Sequence, residues 1–228
     1  KAAGQPAERR SSPGGKVMKY DWRKQEKKLY SPGEMPEEVC VLAQRFLMIS
    51  GKGNPNHEDF SNRVGALYSL AYSIKMRYKA EHKGMGNRDA DMEEFAVYPL
   101  EGVWDMEEET GADAHVLEDK EHLCYTIMIR QPDCITEEMY EAALAAVKKK
   151  KPNPLLDEIT WEICEEGRCV QILHTGLFDD EPESFRKMDL FLEEMHLKRR
   201  SKTHREIYLK DMSRTAPEKM KTILRYTV

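Results

Sequence analysis

The chain has 228 residues and a formal net charge of −5, with 40% hydrophobic and 34% charged residues. That balance belongs to an ordinary folded protein, either one sizeable domain or two fused halves. The mild acidity excludes the basic footprint of a nucleic-acid binder, and no apolar stretch approaches the roughly 20 residues of a membrane span.

Residues 1–17 are rich in Gly, Pro, Ser and Ala without periodicity. They read as a linker or expression scar, with Met18 as a natural start and residues 18–228 as one domain. Val39 to Ile49 is a mostly apolar run, ended by the turn cluster Gly51-Lys52-Gly53-Asn54-Pro55-Asn56. Glu58 to about His82 is a long helix, with Val64, Leu67, Leu70 or Ala71, Ile74 and Tyr78 at helical spacing. Gly84 to Asp91 reads as a loop. Glu94–Trp104 and His122–Arg130 read as strands, joined by an acidic, Gly-containing, mobile stretch from Asp105 to Lys120. Thr136 caps a helix that reaches Lys151, and the basic run Lys148–Lys151 suits the end of its dipole. After Pro152-Asn153-Pro154, the segments Glu158–Cys164 and Arg168–Thr175 read as a hairpin around Glu165-Glu166-Gly167. Glu183–His196 is a helix. Glu206–Leu209 and Ile223–Val228 are strands joined by the polar loop Lys210–Lys221.

Two junctions match. Gly51 precedes Phe60 by nine residues, and Gly176 precedes Phe185 by nine. Each junction leads into a helix and then two strands. The expected fold is therefore α+β, a duplicated strand–helix–strand–strand unit over about 39–130 and 158–228. It predicts an antiparallel sheet with helices on one face and the other face free to form a ligand cleft between the halves.

Strand alternation puts Glu206 and Tyr208 on one face and Ile207 and Leu209 on the other. The acid-bearing face is either solvent or the wall of a pocket. Tyr68, Tyr72, Trp104, Tyr125, Trp161 and Tyr208 cluster near the strands and first helix, together with Glu101, Glu181 and Glu206. Such a set suits a flat hydrophobic ligand that is cationic or carries a reacting group. Tyr68 and Tyr72, one helical turn apart, serve equally well as core. Trp161 alternates with Ile159 and Ile163 and reads as structural, whereas Trp104, after Glu101-Gly102, reads as a ligand contact. His174 lines the cleft or is a hydrogen-bonded structural histidine.

The five cysteines (Cys40, Cys124, Cys134, Cys164, Cys169) are irregularly spaced, as expected of free thiols in a reducing cytoplasm. Cys164 and Cys169 are expected opposite each other across the hairpin, without the further ligands of a zinc site. Gly51-Lys52-Gly53 lacks phosphate-loop spacing, and no G-x-S-x-G context marks a serine hydrolase.

Several segments in order carry a resemblance: Tyr20-Asp21-Trp22-Arg23-Lys24, Ala66 to Lys75 (ALYSLAYSIK), Leu100-Glu101-Gly102-Val103-Trp104, Gln171 to Pro182 (QILHTGLFDDEP), His204 to Asp211 (HREIYLKD) and Lys221-Thr222-Ile223-Leu224-Arg225. Together they resemble the stand-alone branch of the GyrI-like small-molecule-binding family, from about Tyr20 to the C-terminus. The resemblance implies a duplicated unit with a ligand cleft between its halves and Glu206 as the acid that meets cationic ligands. It also implies that some members hydrolyse the strained cyclopropane of DNA-alkylating natural products. Arg205 stands where relatives often carry His, Phe178 where Tyr is common, and Tyr226-Thr227 where His-Pro is more usual.

A mechanism follows from those residues. Glu206, or else Glu181, activates water as a general base, and Tyr208 or Tyr68 donates to the developing oxyanion. Trp104, Tyr125 and Tyr72 stack on the ligand, with Glu101 and His174 as further ligand contacts. No metal or organic cofactor is called for. The competing reading is a binder in which Glu206 only pairs with a cation. A gyrase-contacting role finds no support in the residues.

Overall fold

The computed structural model describes residues 19–82, 94–106, 120–211 and 214–228. The expectations for 1–17 and 84–91, and for nearly all of 105–120, lie outside the described residues. Strand β1 (Lys19–Tyr20) leads into two short helices, α1 (Trp22–Gln25) and α2 (Lys27–Tyr30). Asp21 caps the first by accepting the amide of Arg23.

The apolar run Val39–Ile49 is two strands. It divides at Leu42 and Ala43 into β2 (Glu37–Val41) and β3 (Gln44–Lys52), which pair with different partners. Helix α3 (Glu58–His82) has the extent its periodicity predicts. The expected strand Glu94–Trp104 is also divided, into β4 (Glu94–Phe95), parallel to β1, and β5 (Leu100–Met106). Pro99 lies between them and brings no amide hydrogen to a ladder. There the chain is tied down by Trp22, whose indole donates to the carbonyl of Val97 at 2.9 Å.

Strand β6 (Leu123–Gln131) and helix α4 (Glu137–Lys150) follow, the helix capped by Thr136 through the amide of Met139. Then come β7 (Thr160–Cys164), β8 (Gly167–Thr175), α5 (Glu181–Glu194), β9 (His204–Tyr208) and β10 (Lys221–Thr227). Helix α5 starts two residues before the expected Glu183 and ends at Glu194, two residues short of the expected His196, whose φ of 55° cannot continue a helix.

The main sheet is eight-stranded, ordered β2-β8-β10-β9-β5-β6-β3-β7, with antiparallel neighbours. The set β3-α3-β5-β6 recurs as β8-α5-β9-β10, and the two sets meet head to head at β5 and β9. Val170, Ile172, Leu224 and Tyr226 pack with Met188 and Leu192 of α5. Leu47, Ile49, Ile127 and Ile129 belong to the core that includes Leu67, Leu70 and Ile74 of α3. Directly paired residues share a face, and the pairs Leu224–Glu206, Glu206–Gly102, Gly102–Ile127 and Ile127–Ile49 connect these groups. Both helices therefore cover the same face, and the gap over β5 and β9 lies between them. The cleft expected on the helix-free face is on the helix face instead.

The opposite face is filled by α1 and α2. Gln171 donates to the carbonyl of Lys28 at 2.9 Å and Arg225 to that of Leu29 at 3.2 Å. Buried charge runs through this side: Arg205 donates to Glu101 at 2.8 Å, and Glu166 lies 3.1 Å from Arg205 and 2.9 Å from Arg225. This network explains why the expected hairpin does not form. With Glu166 held inward by two arginines, β7 pairs with β3 while β8 pairs with β2 and β10. Gly167, at φ 70°, makes the change of direction. Cys164 and Cys169 accordingly sit on separate strands that are not paired.

Candidate active site

Three cross-strand pairs lie in succession on the helix-covered face: Leu100–Tyr208, Gly102–Glu206 and Trp104–His204. Alternation that would send Glu206 into solvent on an uncovered sheet sends it here into a cavity. Every residue of β9 is buried. Glu206 is 7% exposed, and both of its oxygens are occupied: His204 Nε2 lies 2.9 Å from Oε1, and the Tyr208 hydroxyl donates to Oε2 at 2.8 Å. An ionised carboxylate only accepts, so whenever Glu206 is ionised the hydrogen of this contact is on His204 Nε2. The indole of Trp104 donates to the Tyr208 oxygen at 2.9 Å. Burial, and then the neighbouring charge of Glu206, hold the Tyr208 phenol far above its ordinary pKa. It stays protonated, and its one hydrogen is committed to Glu206.

Gly102 makes that chain possible. A Cβ there would stand 2.9 Å from Trp104 Nε1 and 3.3 Å from the Tyr208 hydroxyl. The pocket above encloses about 140 Å³. Its apolar walls are Pro55, Phe60, Trp104, Leu123 and Phe178, and Asn56 and Lys120 also line it. Phe60 stacks on Trp104 at 5.8 Å, and Phe178 meets Tyr208 edge-on at 5.9 Å.

Glu181 enters this pocket from the first residue of α5 and is 1% exposed. Its Oε1 has no hydrogen-bond partner. Desolvation is the largest influence on it, followed by the charge of Glu206 and then Asp179, and together they raise its pKa well above the ordinary carboxyl range. Two carboxylates in one buried pocket do not both ionise readily. The pocket therefore sets a hydrogen-bonded carboxyl group, Glu206, beside one that holds its proton more tightly than usual, Glu181.

The other expected site residues divide into three groups. Tyr68 and Tyr72 line a second, larger cavity of about 590 Å³ with Val64, Pro99, Leu100, Leu209 and one wall of Tyr208. Tyr125 lies behind the pocket, against Phe60 at 5.1 Å and Trp104 at 5.5 Å, with its hydroxyl turned to Asp59 at 3.3 Å. Glu101 and His174 are placed elsewhere. Glu101 pairs across the strands with Ile207, so it faces the opposite side of the sheet and is neutralised by Arg205. His174 is engaged at both nitrogens, Nδ1 with Ser184 at 2.9 Å and Nε2 with the carbonyl of Leu177 at 2.8 Å. Trp161 packs against Tyr140 at 5.5 Å, as a structural residue.

His204 was not among the expected site residues, although it stands two positions before Glu206 and so shares its face. The Gly51–Phe60 spacing marks Phe60 as part of the repeat and carries no signal of a pocket wall. Among the described residues, no group of three or more His, Cys, Asp or Glu side chains is placed to hold a metal ion. None of the described helices is long and apolar enough to cross a membrane.

The GyrI-like small molecule binding domain matches residues 35–227. A solved structure of an uncharacterized conserved protein from Listeria innocua superposes with a TM-score of 0.80 at 38% identity, covering 91% of this chain and 98% of that one. A hydrolase from Listeria innocua gives 0.78 at 38% identity, covering 92% and 99%. Another structure of a hydrolase from the same organism gives 0.77 at 36%, covering 91% and 98%. No curated protein matches the chain.

Proposed function

Because the chain belongs to the GyrI-like small-molecule-binding family, we propose that it is a hydrolase opening the cyclopropane ring of flat, hydrophobic, DNA-alkylating compounds, with Glu206 activating the water. The observation that carries this reading is the unequal acid pair, a fully hydrogen-bonded Glu206 beside a buried Glu181 whose Oε1 has no partner and whose pKa is pushed up by burial. Two acids whose surroundings push their pKa values apart are the equipment of general acid–base catalysis. The structural relatives known as hydrolases lend it weight.

In a cyclopropane conjugated to a carbonyl, water attacks the ring methylene and Glu206 takes its proton. The methylene–ring carbon bond breaks, and its electron pair passes through the conjugated system to the carbonyl oxygen. Glu181 protonates that oxygen, so one water is consumed, its hydroxyl ending on the methylene and a proton on the oxygen, and exchange with solvent moves the proton from Glu206 back to Glu181. Tyr208, His204 and Trp104 act as positioning residues. Tyr208, first expected as an oxyanion donor, has its hydrogen on Glu206 and is assigned to orienting the base. Trp104, Phe60 and Phe178 hold the flat ligand and exclude bulk water, which strengthens every charge interaction in the pocket.

A non-catalytic binder is the second reading, favoured by the aromatic walls around a carboxylate, an arrangement that suits a cation. Incubating the protein with a cyclopropane-containing alkylating agent and following water addition by mass spectrometry separates the two. Turnover that Glu206→Gln abolishes supports the hydrolase. Stoichiometric binding without product leaves only the binder. The expected partner is thus a small molecule, hydrophobic and aromatic or cationic, taken up in the cytoplasm.

A further inference from the structure

The acid pocket is too small for a drug-sized ligand. Its volume of about 140 Å³ is close to that of an apolar cavity that holds a single benzene ring, whereas drug-sized ligands occupy about 300–1,000 Å³. The cavity beside it, at about 590 Å³, falls within that range and has no acid pair of its own. Tyr208 is in the wall of both. Beneath them the pairs Leu100–Tyr208, Gly102–Glu206 and Trp104–His204 form one continuous floor, about 14 Å long at the usual rise per strand residue.

The larger cavity is built for a planar, apolar body. Tyr68 and Tyr72 lie 6.2 Å apart, inclined at 32°, on the α3 side. Val64, Pro99, Leu100 and Leu209 add apolar lining, and Arg23, Lys210 and Asp211 also line the cavity. Tyr72 is 52% exposed on a helix whose neighbouring turns bury Leu70, Ala71 and Ile74. An aromatic ring left this open beside a cavity is a ready stacking surface.

We propose that the two cavities are one bipartite site: a single-ring head enters the acid pocket, and a second flat ring system of the same ligand lies in the Tyr68–Tyr72 cavity. The proposal rests on the acid pocket being the ligand site and extends that reading to ligand shape. It makes the larger cavity the determinant of ligand length, while the acid pair determines what happens to the head.

Benzamidine and para-naphthylbenzamidine share a cationic single-ring head and differ by a flat tail, so calorimetric titration of both tests the proposal. The tail is expected to tighten binding to the unmodified protein about a hundredfold, from the apolar area it buries. Tyr72→Ala and Val64→Trp, one removing stacking surface and one filling the cavity, are expected to reduce that gain to about tenfold or less. Both variants should leave benzamidine affinity unchanged. Glu206→Gln is expected to weaken both probes by the same factor. A tail that brings no gain in the unmodified protein, or a gain that survives both variants, overturns the proposal. If benzamidine itself does not bind, the acid-pocket reading fails and this extension fails with it. Absence of cyclopropane turnover alongside a tail effect that Tyr72→Ala removes would instead sink only the hydrolase reading.

Discussion

Tyr208 donates to Glu206 at 2.8 Å while its own oxygen receives the indole of Trp104 at 2.9 Å. The phenol is thereby a link between two fixed groups, and the carboxylate it serves cannot swing toward solvent. Glu206→Gln keeps the shape of this chain but removes the basic oxygen. It should lower kcat by about two to four orders of magnitude, the usual contribution of a general base, with a circular dichroism spectrum like that of the unmodified protein. Steady-state rates on a cyclopropane substrate provide the measurement.

Tyr208→Phe probes orientation without removing the base. Glu206 keeps its hydrogen bond from His204 but loses the one from the phenol, and the Trp104 indole is left without its acceptor. A buried donor left without a partner costs about 1–3 kcal/mol. The expected result is a fall in kcat smaller than that of Glu206→Gln, together with a measurable loss of stability in urea.

Glu181 gives the protein a pH signature. Its folded-state pKa is raised well above the ordinary value of 4.5, first by burial and then by Glu206. Between those two values the folded protein holds a proton that the unfolded chain has released, so stability declines as pH climbs through the interval. Thermal unfolding followed from pH 4.5 upward should show the unmodified protein losing ground to Glu181→Gln, which has no proton to release. Turnover should fall at the alkaline end of the same interval, where the neutral acid is lost.

Much of this arrangement was legible in local sequence. Alternation correctly put Glu206 beside Tyr208, helical periodicity bounded α3, and the Gly51–Phe60 and Gly176–Phe185 spacings mark the two junctions that lead into α3 and α5. What escaped depends on register and on contacts remote in sequence. Gly102 rather than Glu101 stands opposite Glu206, and this one-residue phase sends Glu101 through the sheet to Arg205. The exchange of partners between β2 and β7 depends on Glu166 meeting two arginines from β9 and β10. No local pattern around Glu165-Glu166-Gly167 distinguishes that from an exposed hairpin turn.

Gly102→Ala tests the close approach above Glu206. The added methyl would stand 2.9 Å from Trp104 Nε1, within a strand pair where neither backbone can withdraw. Overpacking of this kind costs about 1–3 kcal/mol. Because the displaced groups are those that orient Glu206, turnover should fall more steeply than stability. Chemical denaturation read against kcat separates the two effects.

Arg205→Leu should act in the opposite proportion. Arg205 is 6% exposed and lies against Glu101 at 2.8 Å and Glu166 at 3.1 Å, on the face away from the acid pocket. Its removal leaves Glu101 buried without its cation, while Glu166 keeps only Arg225. Breaking a buried pair from one side costs about 3–5 kcal/mol, because the remaining charge has lost both water and partner. The protein should therefore unfold at markedly lower urea concentration. The fraction still folded at low temperature should turn over substrate at nearly the unmodified rate, since no bond to Glu206 is touched. Arg205→Leu with Glu101→Leu, which removes both charges of the closest pair, should recover part of the lost stability. A double variant no more stable than Arg205→Leu alone would show that unpaired Glu101 is not the source of the loss.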